Sequence, residues 1–134
     1  MNNLWVADVI GKHWKEYETG PDYFDCWGIV CHGFEQKFKT TLDRHLETPT
    51  LNPLEFHKVV KSEIKSEKWV KIEQLEDGCL VLMSQSRVWH HVGMWLEING
   101  GRLLHSRDGV GVSLDSRNVL KTFNKTEFWK YVAR

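Results

Sequence analysis

Apolar positions divide the chain into a helical first half and a strand-rich second half. Leu4, Trp5, Val9 and Ile10 are spaced for one face of a short first helix, which Gly11 ends. A turn-rich stretch, Glu18-Thr19-Gly20-Pro21-Asp22, follows. From Cys26 to about Lys39, Trp27, Ile29, Val30, Phe34 and Phe38 recur at helical spacing, and Asp25 is placed to cap that helix. Asn52-Pro53-Leu54-Glu55 reads as a cap, a proline at the first helical position and an acidic first turn; Phe56, Val59, Val60 and Ile64 continue it as a third helix. After Ser66 the pattern shortens. Trp69–Ile72, Cys79–Met83, Val88–Ile98, Arg102–Ser106 and Val110–Leu114 are rich in branched and aromatic residues, with Asp77-Gly78, Asn99-Gly100-Gly101 and Asp108-Gly109 between them. Phe128–Val132 is a candidate last strand. Helices first and strands after predict an α+β fold, N-terminal helices packed on a C-terminal antiparallel β-sheet, as one domain over residues 1–134.

Charge and composition narrow the function. Eighteen basic and eighteen acidic side chains cancel, so nothing drives the chain toward nucleic acid or an anionic membrane surface. No apolar run approaches the roughly 18 residues that span a bilayer, and the first residues lack the pattern of a secretory signal. Three cysteines without paired spacing argue against a disulfide framework and for synthesis in a reducing cytosol.

Two segments carry candidate chemistry. Asp25-Cys26-Trp27-Gly28 sets a thiol in the first turn of a helix, where backbone N–H groups and the helix dipole favour the thiolate. A nucleophilic thiolate still needs a base and a group to orient that base. A cysteine on a helix is otherwise a small packing residue, and Cys31 and Cys79 fit that description. The second segment, His90 to Leu96 followed by Asn99 to Ser106, reads as a β-hairpin. It has His91, Gly93 and Trp95 on one face and His90, Val92 and Met94 on the other. Gly93 leaves room beside His91 for close approach of another element. His105 lies on the return strand. One thiolate and two imidazoles are also plausible zinc ligands, although no C-x-x-C or H-x-x-x-H clamp accompanies them.

Taken in order, Ile10–Trp14, Gly20–Val30, Trp69, Gly78–Leu82, His91–Leu96 and Leu103–His105 resemble the NlpC-type papain-like cysteine peptidases of bacterial cell walls. A Trp after the cysteine, an isolated upstream Trp and compact size are most similar to the bacteriophage tail members. The resemblance implies a papain-like fold with Cys26 as nucleophile, His91 as general base and His105 as the polar residue orienting it. Asp25 and Cys26 then form the capped helix start, where the Cys26 N–H faces the oxyanion. His90 is a lesser candidate for the base. Trp14 stands near a position where many members have Tyr, a hydroxyl that Tyr17 or Tyr23 would have to supply, and Cys79 replaces a common Asp. Trp27, Trp89 and Trp95 are candidates for lining a substrate groove.

The implied substrate is the peptidoglycan stem peptide, cut without a cofactor, by a protein made in the bacterial cytoplasm and carried on the virion tail beside other tail-tip proteins. The alternative from another class is a structural or assembly protein of the tail tip with a vestigial site.

Hairpin register tests the assignment. A two-residue Asn99-Gly100 turn sends His91 and His105 to opposite faces, and a loop of Asn99, Gly100 and Gly101 separates them along the strand. A loop of Ile98, Asn99 and Gly100 sets Gly93 opposite His105 and makes His91 its diagonal neighbour, with Cβ atoms about 7–8 Å apart. The third register is predicted.

Overall fold

The computed structural model describes residues 3–46 and 48–133. A 3-10 helix, Leu4–Asp8, precedes α1 (Cys26–Phe38) and α2 (Pro53–Lys65). The strands β1 (Trp69–Ile72), β2 (Leu80–Ser84), β3 (His91–Leu96), β4 (Arg102–Arg107), β5 (Gly111–Asp115) and β6 (Lys125–Tyr131) follow, with a second 3-10 helix, Arg117–Thr122, before β6. They form one six-stranded sheet in the order β1-β6-β2-β3-β4-β5, antiparallel at every pairing. The α+β expectation holds.

Local chemistry starts α1 where the pattern predicted. Asp25 Oδ1 accepts the Gly28 N–H at 2.7 Å, and Oδ2 accepts the Tyr17 N–H at 2.9 Å. Gly28 is required by close approach: a Cβ there would sit 2.1 Å from the Glu18 carbonyl oxygen. That carbonyl accepts the Asp25 N–H, so the preceding loop is tied onto the first turn of the helix. Lys39, in the left-handed region at φ 55°, ends α1 by donating to Glu35. Asn52 caps α2 through the Glu55 N–H, with Pro53 at its start.

The sheet separates two cores. α1 packs on β3 and β4, where Ile29, Val30 and Phe34 meet Val92, Met94, Leu96 and Leu104. The opposite face is covered by Val119, Leu120 and Phe123, which pack against Val81, Met83, Trp95 and Leu103. Three expectations change. The first helix is a short 3-10 segment, and Ile10 is exposed rather than on its core face. The strand read from Val88 shortens to His91–Leu96, because Ser84 Oγ donates to the Val88 carbonyl and accepts the Ser86 N–H, which holds that stretch as a turn. The last strand begins earlier, at Lys125, and lies inside the sheet between β1 and β2.

The β3–β4 hairpin takes the predicted register. Met94 faces Leu104, Trp95 faces Leu103 and Leu96 faces Arg102, so continuation puts Gly93 opposite His105. Gly93 does not leave open space. A Cβ there would lie 2.8 Å from Leu103 Cδ1, 3.0 Å from the Leu104 carbonyl oxygen and 3.2 Å from His105 Cβ. Gly93→Ala is therefore expected to destabilise the fold by about 1–3 kcal/mol through overpacking, read as a lowered urea midpoint with an unchanged slope.

Candidate active site

Cys26 and His91 line one cleft, with Trp14, Thr50, Leu51, Gln85, His90, Arg107 and Phe123 among its other walls. They reach it from opposite layers. Cys26 is the first residue of α1 and belongs to the helix-side core. His91 opens β3, and its ring stacks on Phe123 of the other layer, with centroids 6.1 Å apart and planes 14° from parallel. Val92, next in the chain, turns its side chain into the helix-side core, and its backbone N–H favours the ionised form of the Cys26 sulfur.

His91 Nε2 lies 2.8 Å from His105 Nδ1, so the diagonal predicted from the register is a hydrogen bond. Beyond it, His105 Nε2 lies 2.6 Å from Asp115 Oδ2. Ser113 Oγ donates to the same oxygen at 2.9 Å, and an Arg107 guanidinium nitrogen is 3.5 Å away. Leu103 pairs with Asp115 and His105 with Ser113, which makes Asp115 the diagonal neighbour of His105 on its far side. A line of side chains thus crosses β3, β4 and β5 on one face. Sequence reasoning missed Asp115. The available signal was alternation, which sets Ser113 and Asp115 on one face of a strand after the Asp108-Gly109 turn.

Electrostatics set the resting protonation. Burial holds His91 well below the usual imidazole range, reinforced by His105, His90 and Arg107. Burial also lowers His105, opposed by its bond to Asp115. Burial and then the neighbouring Asp25 push the Cys26 thiol up, against backbone N–H groups of Val92, Trp27 and Cys26 itself. The helix-start N–H groups pull toward the thiolate as the sequence implies, but desolvation outweighs them. Asp25 is pushed up to about 6, again by burial. A neutral thiol and a neutral imidazole therefore line the same cleft.

The other candidates fall elsewhere. Trp27, Trp89 and Trp95 are buried packing residues and none lines the cleft. Trp27 Nε1 donates to the Asp43 carbonyl, Trp89 lies in the helix-side core and Trp95 in the opposite one. They are corrected from groove to core. Trp14 does line the cleft, but Tyr17 and Tyr23 do not. His90 shares the cleft and accepts the Gln85 N–H at its Nε2, at 2.8 Å. Among the described residues, no three His, Cys, Asp or Glu side chains are grouped to hold a metal ion. The nitrogens of His91 and His105 face each other instead.

Cys31 is buried near the Asp43 carbonyl, and Cys79 sits in the second core, its thiol pushed up to about 11 by burial. Only Cys26 of the three borders the cleft. A small thiol-directed electrophile near neutral pH is expected to modify Cys26 before Cys31 and Cys79, because His91 lines the same cleft and can take the thiol proton as the sulfur attacks, read by peptide mass mapping. Equal labelling would mean that the cleft does not admit reagents to the sulfur.

Comparison with solved structures finds the NlpC/p60 domain of the peptidoglycan hydrolase SagA, at 18% identity and a TM-score of 0.59. The alignment covers 95% of this chain and 92% of that one, and it shows a shared fold. No curated protein matches. The model of the NlpC/P60 family matches residues 14–132, which takes in the α1 cysteine, both histidines and all six strands, and the chain belongs to that family.

Proposed function

We propose that the protein is a cysteine peptidase that hydrolyses amide bonds of peptidoglycan stem peptides. The observation that carries this reading is the 2.8 Å pair of His91 and His105 set across one cleft from a thiol at a helix N-terminus. The shared fold with a peptidoglycan hydrolase supports the choice of substrate.

In this mechanism the thiol proton passes to His91 Nδ1, since Nε2 is engaged by His105. Sγ attacks the amide carbon, and the resulting oxyanion faces the Cys26 backbone N–H at the positive end of α1. The C–N bond breaks as His91 returns its proton to the departing amine, leaving a thioester. Water, deprotonated by His91, attacks that thioester, releases the new carboxylate and restores the thiol. Because the resting thiol is neutral, proton transfer belongs with attack rather than before it.

A setting on a bacteriophage tail, among tail-tip proteins, rests on the Trp that follows Cys26 and the isolated upstream Trp14. Co-sedimentation with intact particles tests it.

Activity is tested by incubating the protein with cross-linked peptidoglycan and counting new amino termini. Release that depends on Cys26 supports the peptidase. No release, where a related enzyme acts on the same substrate, rejects it in favour of a structural tail-tip protein.

A further inference from the structure

We infer that Asp115 is a positioning residue that selects the tautomers of both histidines and so leaves His91 Nδ1 as the bare, basic nitrogen facing the cleft.

The inference follows from hydrogen-bond capacity along the line. Asp115 Oδ2 is met by His105 Nε2 at 2.6 Å, by Ser113 Oγ at 2.9 Å and by an Arg107 nitrogen at 3.5 Å. His105, Ser113 and Arg107 hold the Asp115 carboxyl below its usual range, so it is an ionised group that only accepts. His105 Nε2 must therefore carry a proton. His105 is fully buried and its imidazole is held below its usual range, so a second ring proton is disfavoured and Nδ1 is a lone pair. At 2.8 Å from that lone pair, His91 Nε2 must be the donor. His91, also buried and held neutral, then has no proton left for Nδ1.

Each step is forced by the one before it, and the chain starts at Asp115. The polar groups facing the two rings are His90, Arg107, Asp115 and Ser113, and Asp115 is the carboxylate among them. Without Asp115, His105 is free to put its proton on Nδ1, donate to His91 Nε2 and so drive the His91 proton onto Nδ1. The base would then face the thiol with an N–H. His105 on its own cannot prevent this, because an imidazole can donate or accept at either nitrogen.

The test is tautomer assignment by 15N-correlated NMR of the histidine side chains in the full chain, with Asp115→Ala and Asp115→Asn beside the wild type. Protonated and bare ring nitrogens have well-separated shifts, and the same spectra report whether each variant is folded. In the wild type, Nε2 is expected to be protonated and Nδ1 bare in both rings. Asp115→Ala is expected to move protons onto Nδ1 of His91 and His105. Asp115→Asn is expected to shift the tautomers in the same direction, because its amide NH2 can donate to His105 Nε2 where the carboxylate could only accept.

A protonated His91 Nδ1 in the wild type overturns the inference, as do tautomers unchanged in the alanine variant.

The kinetic consequence rests on the peptidase reading. In Asp115→Ala, kcat on a muropeptide is expected to fall roughly 10- to 1,000-fold with KM within about twofold, bounded by the ~10⁴-fold loss when a triad histidine is held in the wrong tautomer. A residue that merely stiffens β5 would change stability without moving ring protons. If the wild type proves inert on peptidoglycan, the peptidase reading fails while the tautomer measurement still decides the role of Asp115.

Discussion

Cys26→Ala is expected to abolish release of amino termini from peptidoglycan, by roughly 10⁴-fold or more, the scale on which loss of a nucleophile acts in triad enzymes. The fold should survive. The substitution removes only a sulfur at the mouth of a cleft, and the cap of α1 is supplied by Asp25, which is untouched. A urea unfolding curve run beside the assay separates the two effects: activity vanishes while the midpoint moves by the equivalent of about 1–2 kcal/mol at most. Full activity in a folded alanine variant would exclude covalent catalysis through this thiol. Cys31→Ala and Cys79→Ala, at sites away from the cleft, are the matching controls for mere loss of a buried sulfur.

The second large effect distinguishes the histidines. His91→Ala removes the base and is expected to cost about as much as losing the nucleophile, whereas His105→Ala leaves the base in place and is expected to cost roughly a hundredfold less, by analogy with orienting residues in triads. His105 carries a second cost. It is fully buried between Gly93 and Asp115, so its removal opens a cavity and leaves the carboxylate without one of its donors. The variants should therefore rank in opposite orders in activity and in stability. His91→Ala would be the poorer catalyst and His105→Ala the poorer fold. Equal kinetic losses, with both variants folded, would show that the roles of base and orienter are misassigned.

What was legible in the sequence is what short-range rules determine. Asp25 before a helical period announces a cap, and the structure supplies the Gly28 bond that the cap requires. Requiring His91 and His105 on one face selects the loop of Ile98, Asn99 and Gly100 against the stronger Asn99-Gly100 turn signal, and the register agrees. Trp27, Trp89 and Trp95 were misread because burial is set by which layer covers a face, and covering layers come from distant parts of the chain. The neutral state of the resting thiol has no local signature for a related reason. A helix dipole is visible in local sequence, whereas desolvation depends on what is packed over the sulfur. Asp115 escaped because an acidic residue late in a short strand looks like a solvated edge, and its role exists only once β5 pairs with β4. The place of β6 between β1 and β2 likewise has no local signature.

That inserted strand bears on how the molecule comes into being. Synthesis delivers the thiol helix first, then the hairpin with both imidazoles, and only afterwards the strand that seals the sheet. Until Lys125–Tyr131 emerges, β1 and β2 each present an unpaired edge, and such edges template association between chains. Phe123, which stacks on His91, comes just ahead of the same strand. A nascent chain halted before residue 123 would therefore hold every catalytic side chain and still lack the support of its base. Closure joins segments far apart in sequence, the class of topology that folds over milliseconds to seconds rather than microseconds. In the proposed peptidase, support of the base is thus acquired late, when β6 pairs with β1 and β2.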